Sequence, residues 1–270
     1  MTEVSSGARS RIVLNELTKI YGSGGGQVPA VDAVSFDVRE GEFVALIGPS
    51  GCGKSTILNM MAGLIPISDG EILIDETQVV TGTPTPKVGY VFQRDTVFPW
   101  RTVRKNIGLG LELNRVPKAE REAQVDRLVE RAGLGGFEDA FPITLSGGMR
   151  QRVSLMRTLI MRPEILLMDE PFGALDTHTK LEMHKLLLEI WNKEKQTVVF
   201  VTHDLGEALT LSDKIIVLSA RPGRLKDVFD VPFERPRDAV SLRETPEFSA
   251  LFSEIWHSLG EEFRRTSAEG

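Results

Sequence analysis

The chain has 270 residues, 41% hydrophobic and 26% charged, the make-up of a folded globular protein with one large domain or two small ones. Its 38 acids against 32 Lys and Arg give a net charge of −6, which argues against a nucleic-acid partner held by bulk electrostatics. No run approaches the ~18 apolar residues of a membrane span, Cys52 is the single cysteine, and the polar Met1–Arg11 stretch lacks the apolar core of a secretion signal, so a cytosolic chain is expected.

From Ile12 to Val44 the pattern predicts short strands, broken by the Gly22–Gly26 loop and the turn Arg39-Glu40-Gly41. Phe43-Val44-Ala45-Leu46-Ile47 is continuously apolar, as expected of a strand buried on both faces, and runs into a Gly-rich segment followed by a helix. Residues 94–159 read as a helical subdomain. Pro117 opens a charged helix with Val125, Leu128, Val129 and Ala132 on one face, and Gly133 suits its C-terminal end. The apolar strands Ile165–Met168 and Val198–Val201 flank the helical stretch Thr179–Lys195, the pattern of a parallel βαβ crossover. After Ile215–Leu218 come a Pro-rich tract and a terminal helix, read as core padding, with Phe248, Leu251, Phe252, Ile255, Trp256 and Leu259 on one stripe.

Gly48-Pro49-Ser50-Gly51-Cys52-Gly53-Lys54-Ser55-Thr56 matches G-x-x-x-x-G-K-[ST] between a buried strand and a helix, which is where a phosphate loop must lie. Its glycines let backbone N–H groups converge on phosphates at a helix N-terminus. Lys54 is placed to reach β and γ oxygens, and the Ser55 hydroxyl to ligate Mg²⁺. Cys52 sits where the backbone does the binding and reads as a tolerated small residue whose oxidation would inhibit. The strand Ile165–Met168 ends in Asp169-Glu170, two acids at the carboxyl end of a parallel strand, where ligands gather. Asp169 is expected to hold Mg²⁺ and Glu170 to polarise an attacking water.

Leu145-Ser146-Gly147-Gly148-Met149-Arg150-Gln151-Arg152 resembles the signature of the ATP-binding cassette (ABC) ATPases, and the resemblance covers residues 12 to about 225. It implies an α/β fold: a P-loop NTPase (RecA-like) core over 12–93 and 160–235, carrying an N-terminal antiparallel β-subdomain. The helical signature subdomain is inserted at 94–159, and a C-terminal helical tail spans 236–270, all within one ABC ATPase domain. Ser146, Gly147 and Gly148, opening a helix, form a second anion site. In the family this site closes over the ATP of a second subunit, so two cassettes, identical or paralogous, sandwich two ATPs. By the same resemblance Tyr21 stacks on adenine, Gln93 contacts Mg²⁺ and water, Asp176 belongs to the D-loop (Ala174-Leu175-Asp176), and His203 is the switch histidine, catalytic alongside Glu170 and Lys54.

Only 92 residues separate Gly53 from Ser146, too few for the coiled-coil insertions of chromosome-maintenance relatives. One cassette without a membrane span implies a separate multi-span permease, reached by a periplasmic or lipid-anchored solute-binding protein, with the chain peripheral on the cytoplasmic face of the inner membrane. Phe98–Val103 and Leu218–Arg224 resemble segments of the nitrate, sulfonate and taurine importer branch, with Trp100 placed to dock the permease. An exporter-associated cassette and a non-transport ABC ATPase are the alternatives.

Overall fold

A computed structural model describes residues 9–22, 26–83, 85 and 87–268, with side chains as far as Glu262. Residues 1–8 of the Met1–Arg11 stretch, and 23–25 of the Gly22–Gly26 loop, lie outside the described residues.

Two sheets organise the molecule. The first is antiparallel, in the order β2-β1-β4-β5, from β1 (Ser10–Tyr21), β2 (Val28–Arg39), β4 (Asp69–Ile74) and β5 (Thr77–Gln78). The short strands expected between Ile12 and Val44 are thus two long ones. Register shifts at Leu14/Leu17 and near Lys19, with Glu16 and Ala33 both at φ 47°, interrupt the alternation that would have marked a continuous strand. The second sheet runs β10-β9-β3-β8-β7-β6. Here β3 (Phe43–Ile47), β6 (Val88–Val91), β7 (Ile165–Asp169), β8 (Thr197–Val201) and β9 (Lys214–Leu218) are parallel, and β10 (Leu225–Asp230) is an antiparallel edge.

Strand alternation divides the core in two. Phe43, Ala45 and Ile47, with Leu166, Met168, Val198, Phe200, Ile215 and Val217, face the helical side. Val44, Leu46, Ile165, Leu167, Val199, Val201, Ile216 and Leu218 face the antiparallel sheet and α1 (Lys54–Met61). Burial on both faces explains the unbroken apolar runs.

Four helices follow β6: α2 (Val103–Ile107), α3 (Leu109–Leu113), α4 (Lys118–Arg131) and α5 (Gly147–Leu159). In α4 Val125 and Val129 are buried while Leu128 packs at the edge of the core, and Gly133 takes φ 62° just past the helix. The crossover helix α6 (Thr177–Glu194) joins β7 to β8, and α7 (Leu205–Leu211) joins β8 to β9. The terminal helix α8 (Pro246–Ala268) buries Phe248, Ile255 and Leu259. Trp256 does not share that stripe: it is 52% exposed and stacked on Phe252, because one residue past Ile255 turns it ~100° away from the seam. No helix among the described residues is long and apolar enough to cross a membrane.

Candidate nucleotide site

The carboxyl ends of β3, β7 and β8 lie side by side, so the segments that follow them meet. After β3 the chain turns through Gly48–Gly53 into α1, capped by Gly53 at φ 95°; a Cβ there would stand 2.8 Å from the Ala30 carbonyl, so only glycine fits. The Lys54 ammonium lies inside the loop, donating to the carbonyls of Gly48 at 2.8 Å and Pro49 at 2.9 Å. Cys52 is fully buried, its Sγ 3.7 Å from Lys54 Nζ, and burial pushes the thiol pKa up. This corrects the expectation that oxidation at Cys52 would inhibit: the side chain is part of the core beneath the loop, and a protonated thiol without solvent access is a poor target for oxidation.

An open cavity of about 410 Å³ follows the loop, lined by Tyr21, Ser50, Gly51, Gly53, Lys54, Ser55, Thr56, Gln93 and Glu170. The Tyr21 hydroxyl lies 3.4 Å from Thr56 Oγ1, and its ring is half-exposed at the rim. Ser55 Oγ donates to Asp169 Oδ1 at 2.9 Å across from β7. Burial raises the Asp169 pKa, the neighbouring Glu170 adds to this, and the Ser55 hydrogen bond opposes it. Glu170 follows with φ 45°, a strained conformation for a non-glycine residue, and its N–H donates to the Val201 carbonyl. That bend sends its carboxylate toward two partners: Gln93 Nε2 donates to Oε2 at 3.0 Å, and His203 Nδ1 lies 3.2 Å from the same oxygen.

The donor set fits a hard divalent cation bound with a polyphosphate. The Ser55 hydroxyl and the Asp169 carboxylate are adjacent oxygens, and no cluster of three or more His, Cys, Asp or Glu among the described residues forms a cage of its own. Mg²⁺ is held this way, by one or two protein oxygens plus phosphates.

The signature residues lie apart from this cavity. Ser146 caps α5, its Oγ accepting the Met149 N–H at 3.2 Å, and Gly147 and Gly148 form the first turn. Asp176 caps α6 by accepting the Thr179 N–H at 3.0 Å, which lowers its pKa. None of the four lines the cavity. The helix α5 is nevertheless tied to it: buried Gln151 donates to the Glu170 carbonyl and accepts the Ala174 N–H, and Arg150 pairs with Asp95, two residues past Gln93.

Two lining residues escaped the sequence reading: Ala30, from β2, and Arg221, from the β9–β10 loop. Neither belongs to a local pattern; the Arg-Pro-Gly turn was visible, but nothing in sequence placed it against a segment some 170 residues earlier.

Comparison with known proteins agrees with this geometry. The ABC transporter family model matches residues 31–173. An uncharacterized ABC transporter ATP-binding protein of Methanocaldococcus jannaschii is 49% identical over 86% of each chain. The taurine import ATP-binding protein TauB of Rhizobium johnstonii is 47% identical over 86% of this chain and 89% of its own. The dimeric structure of the ATP-binding cassette MJ0796 in a post-hydrolysis state bound to ADP and Pi is similar at 32% identity and a TM-score of 0.75, covering 83% of this chain and 100% of that one. A phosphate loop, an Asp-Glu strand end and an LSGG-headed helix, set on this pair of sheets, place the chain in the ABC transporter family, as an ATP-binding subunit that hydrolyses ATP.

Proposed function

We propose that the chain energises import of a small sulfonate such as taurine, working as a head-to-tail pair of cassettes beneath a separate membrane permease. The observation that carries the catalytic half of this reading is the convergence of Gln93 and His203 on one oxygen of Glu170, beside the Ser55–Asp169 pair. Lys54 and the backbone of Gly48–Thr56 bind the β- and γ-phosphates. Ser55 and Asp169, with Gln93, would hold Mg²⁺, which neutralises charge developing on the phosphate oxygens. Glu170 orients a water against the γ-phosphorus and takes its proton; the bond from that phosphorus to the bridging oxygen breaks, and ADP leaves with the electron pair. His203 holds the Glu170 carboxylate in place and contacts the γ-phosphate. Tyr21 stacks on adenine.

Closure in this reading brings Ser146, Gly147 and Gly148 of one subunit onto the γ-phosphate held by the other, with Asp176 at the shared interface. The Ser146 hydroxyl, already accepting from Met149, keeps its own proton to donate. The similarity to a cassette solved as a dimer supports the pairing.

Trp100 supports a permease partner. It is 70% exposed on a turn locked by Asn106, which accepts the Phe98 N–H and donates to the carbonyls of Phe98, Arg101 and Thr102. A large aromatic ring held rigidly in solvent is the form of an interface anchor. The sulfonate assignment follows the similarity to the taurine import protein.

The experiment is to purify the tagged chain from mildly solubilised native membranes and measure the ATPase activity of the reconstituted complex. A multi-span permease and a solute-binding protein whose taurine-loaded form raises turnover are expected. A complex stimulated by nitrate and not by any sulfonate would reject the substrate class, and a chain recovered without a membrane protein would reject the transport reading.

A further inference from the structure

The loop Ser219–Arg224 is a fixed wall of the nucleotide cavity. It is closed on itself, the Ser219 N–H donating to the Arg224 carbonyl at 2.9 Å and Ser219 Oγ accepting the Arg224 N–H at 3.0 Å. One side docks on the phosphate loop's surroundings: the Gly223 N–H donates to the Ala30 carbonyl at 3.0 Å, and the Asp32 N–H donates to the Gly223 carbonyl at 2.9 Å. A Cβ on Gly223 would stand 1.9 Å from the Cys52 carbonyl, so only glycine allows this approach. The other side is held from the terminal helix. Glu262 of α8 is 1% exposed, its Oε2 accepts the Ala220 N–H at 2.8 Å, and Lys226 Nζ is 3.0 Å from its Oε1.

Between these anchors stands Arg221, which lines the cavity together with Gly51, Lys54 and Thr56. Its neighbours Arg224 and Lys226 are ion-paired with Asp32 and Glu261, whereas the Arg221 guanidinium makes no ion pair among the described residues. A guanidinium presents a rigid fork of donors suited to phosphate oxygens. We propose that Arg221 is a polyphosphate-binding residue of this site and that Glu262, from the terminal helix, positions it by clamping the loop. The proposal rests on reading Gly48–Thr56 as the ATP site. It gives α8 a role beyond padding: its last described side chain reaches the loop that bounds the nucleotide.

The test is equilibrium titration of the full chain with a fluorescent ATP analogue, competed by unlabelled ATP and by adenosine. Arg221→Ala is expected to raise the ATP Kd about tenfold, the loss of one charge-assisted contact, and to leave adenosine competition unchanged. Arg221→Lys should recover most of that loss, and the gap between Arg221→Ala and wild type should narrow as salt rises. Glu262→Gln should raise the Kd about threefold and add nothing in combination with Arg221→Ala. An unchanged ATP Kd in Arg221→Ala overturns the proposal, as does a loss shared equally by adenosine. Additive losses in the double variant overturn the clamp. Arg221 is exposed, so its variants fold whether or not Glu262→Gln does. Failure of the wild-type chain to bind the analogue at all would instead refute the ATP site itself.

Discussion

The two ends of this molecule proposed to meet phosphate, the loop Gly48–Gly53 and the head of α5, are built differently. At the phosphate loop the chemistry sits on the ends of buried parallel strands. Lys54 and Asp169 are less than a tenth exposed, and each side chain is held by partners distant in sequence or folded within the loop. At Ser146 the side chain makes one local cap bond at a helix N-terminus, and Ile143, three residues earlier, is 89% exposed. The first end is closed by these contacts. The second leaves a hydroxyl proton and the N–H groups of a first helical turn open, as the proposed pairing of cassettes requires. What joins them is Gln151, one turn into α5, hydrogen-bonded to both Glu170 and Ala174. Under the proposed function this pair of hydrogen bonds is the contact through which the two ends would be coupled.

The sharpest way to break this division is at Glu170. Glu170→Gln keeps the hydrogen bond from Gln93 and removes the base, so turnover should fall about a thousandfold while ATP binding survives, the chain accumulating as an ATP-bound dimer. Sedimentation with Mg²⁺ and ATP reads the dimer; a Glu170→Gln chain that turns over within tenfold of wild type would remove Glu170 from the chemistry. Lys54→Ala attacks the same end before the chemical step. It removes the only ammonium in the loop, and ATP affinity should fall about a hundredfold by calorimetry, with no ATP-induced dimer. Dimerisation undiminished by Lys54→Ala would mean the two ends are not coupled through nucleotide.

On the helical side of the parallel sheet, against Phe172, lies a buried polar cluster that makes acid a weakness of this fold. His184 on α6 is 1% exposed, faces the edge of Phe172, and neither ring nitrogen has a hydrogen-bond partner among the described residues. Burial lowers its pKa to about 3, with Arg243 and Lys180 also lowering it and Asp204 opposing. Glu207, 3.8 Å away, is already committed to Lys180 at 3.0 Å and to the Thr202 hydroxyl at 2.7 Å. Because the unfolded imidazole binds its proton near pH 6.5 and the folded one near 3, the unfolded state holds the extra proton throughout that window. Stability is therefore complete above pH 6.5 and is lost as the pH falls toward 3. Between pH 7 and pH 4 the contribution is about 3 kcal/mol. Urea midpoints at pH 7, 5 and 4 should fall more steeply for wild type than for His184→Leu; parallel slopes would show that His184 is not the titrating group.

The same contrast explains what could be read from the sequence. The phosphate loop and the Asp-Glu strand end were legible because each is a local pattern, an apolar run followed at once by the residues it presents. The parallel core was legible for the same reason. The first sheet was legible as strands but not in their length, since its bulges at Glu16 and Ala33 break the alternation that marks a continuous strand. The oxidisability of Cys52 is not legible, because loop membership in sequence does not reveal that the side chain points into the core. The six-residue apolar stripe of α8 overstates its buried face, because the stripe is wider than the seam that α8 can close and Trp256 falls outside it. Arg221 and Ala30 had no signal, because they reach the cavity only through the pairing of Gly223 with β2.

Ser146 offers the smallest and most selective change. Ser146→Ala removes the cap of α5, and with it about 1 kcal/mol of stability, read as a lowered urea midpoint. If Ser146 meets a second subunit's phosphate as proposed, the same substitution deletes the proton it would donate, and turnover at high chain concentration should drop about tenfold. ATP affinity measured on dilute, monomeric chain should not move, because Ser146 does not line the cavity of its own chain. Ser146→Asp separates the two roles: an aspartate caps a helix as well as serine does and places a negative charge where the phosphate must come. It should restore the urea midpoint and leave turnover lower than in Ser146→Ala. Turnover that instead tracks the midpoint across the two variants would reduce Ser146 to a structural cap and leave the phosphate-loop end as the whole of the site.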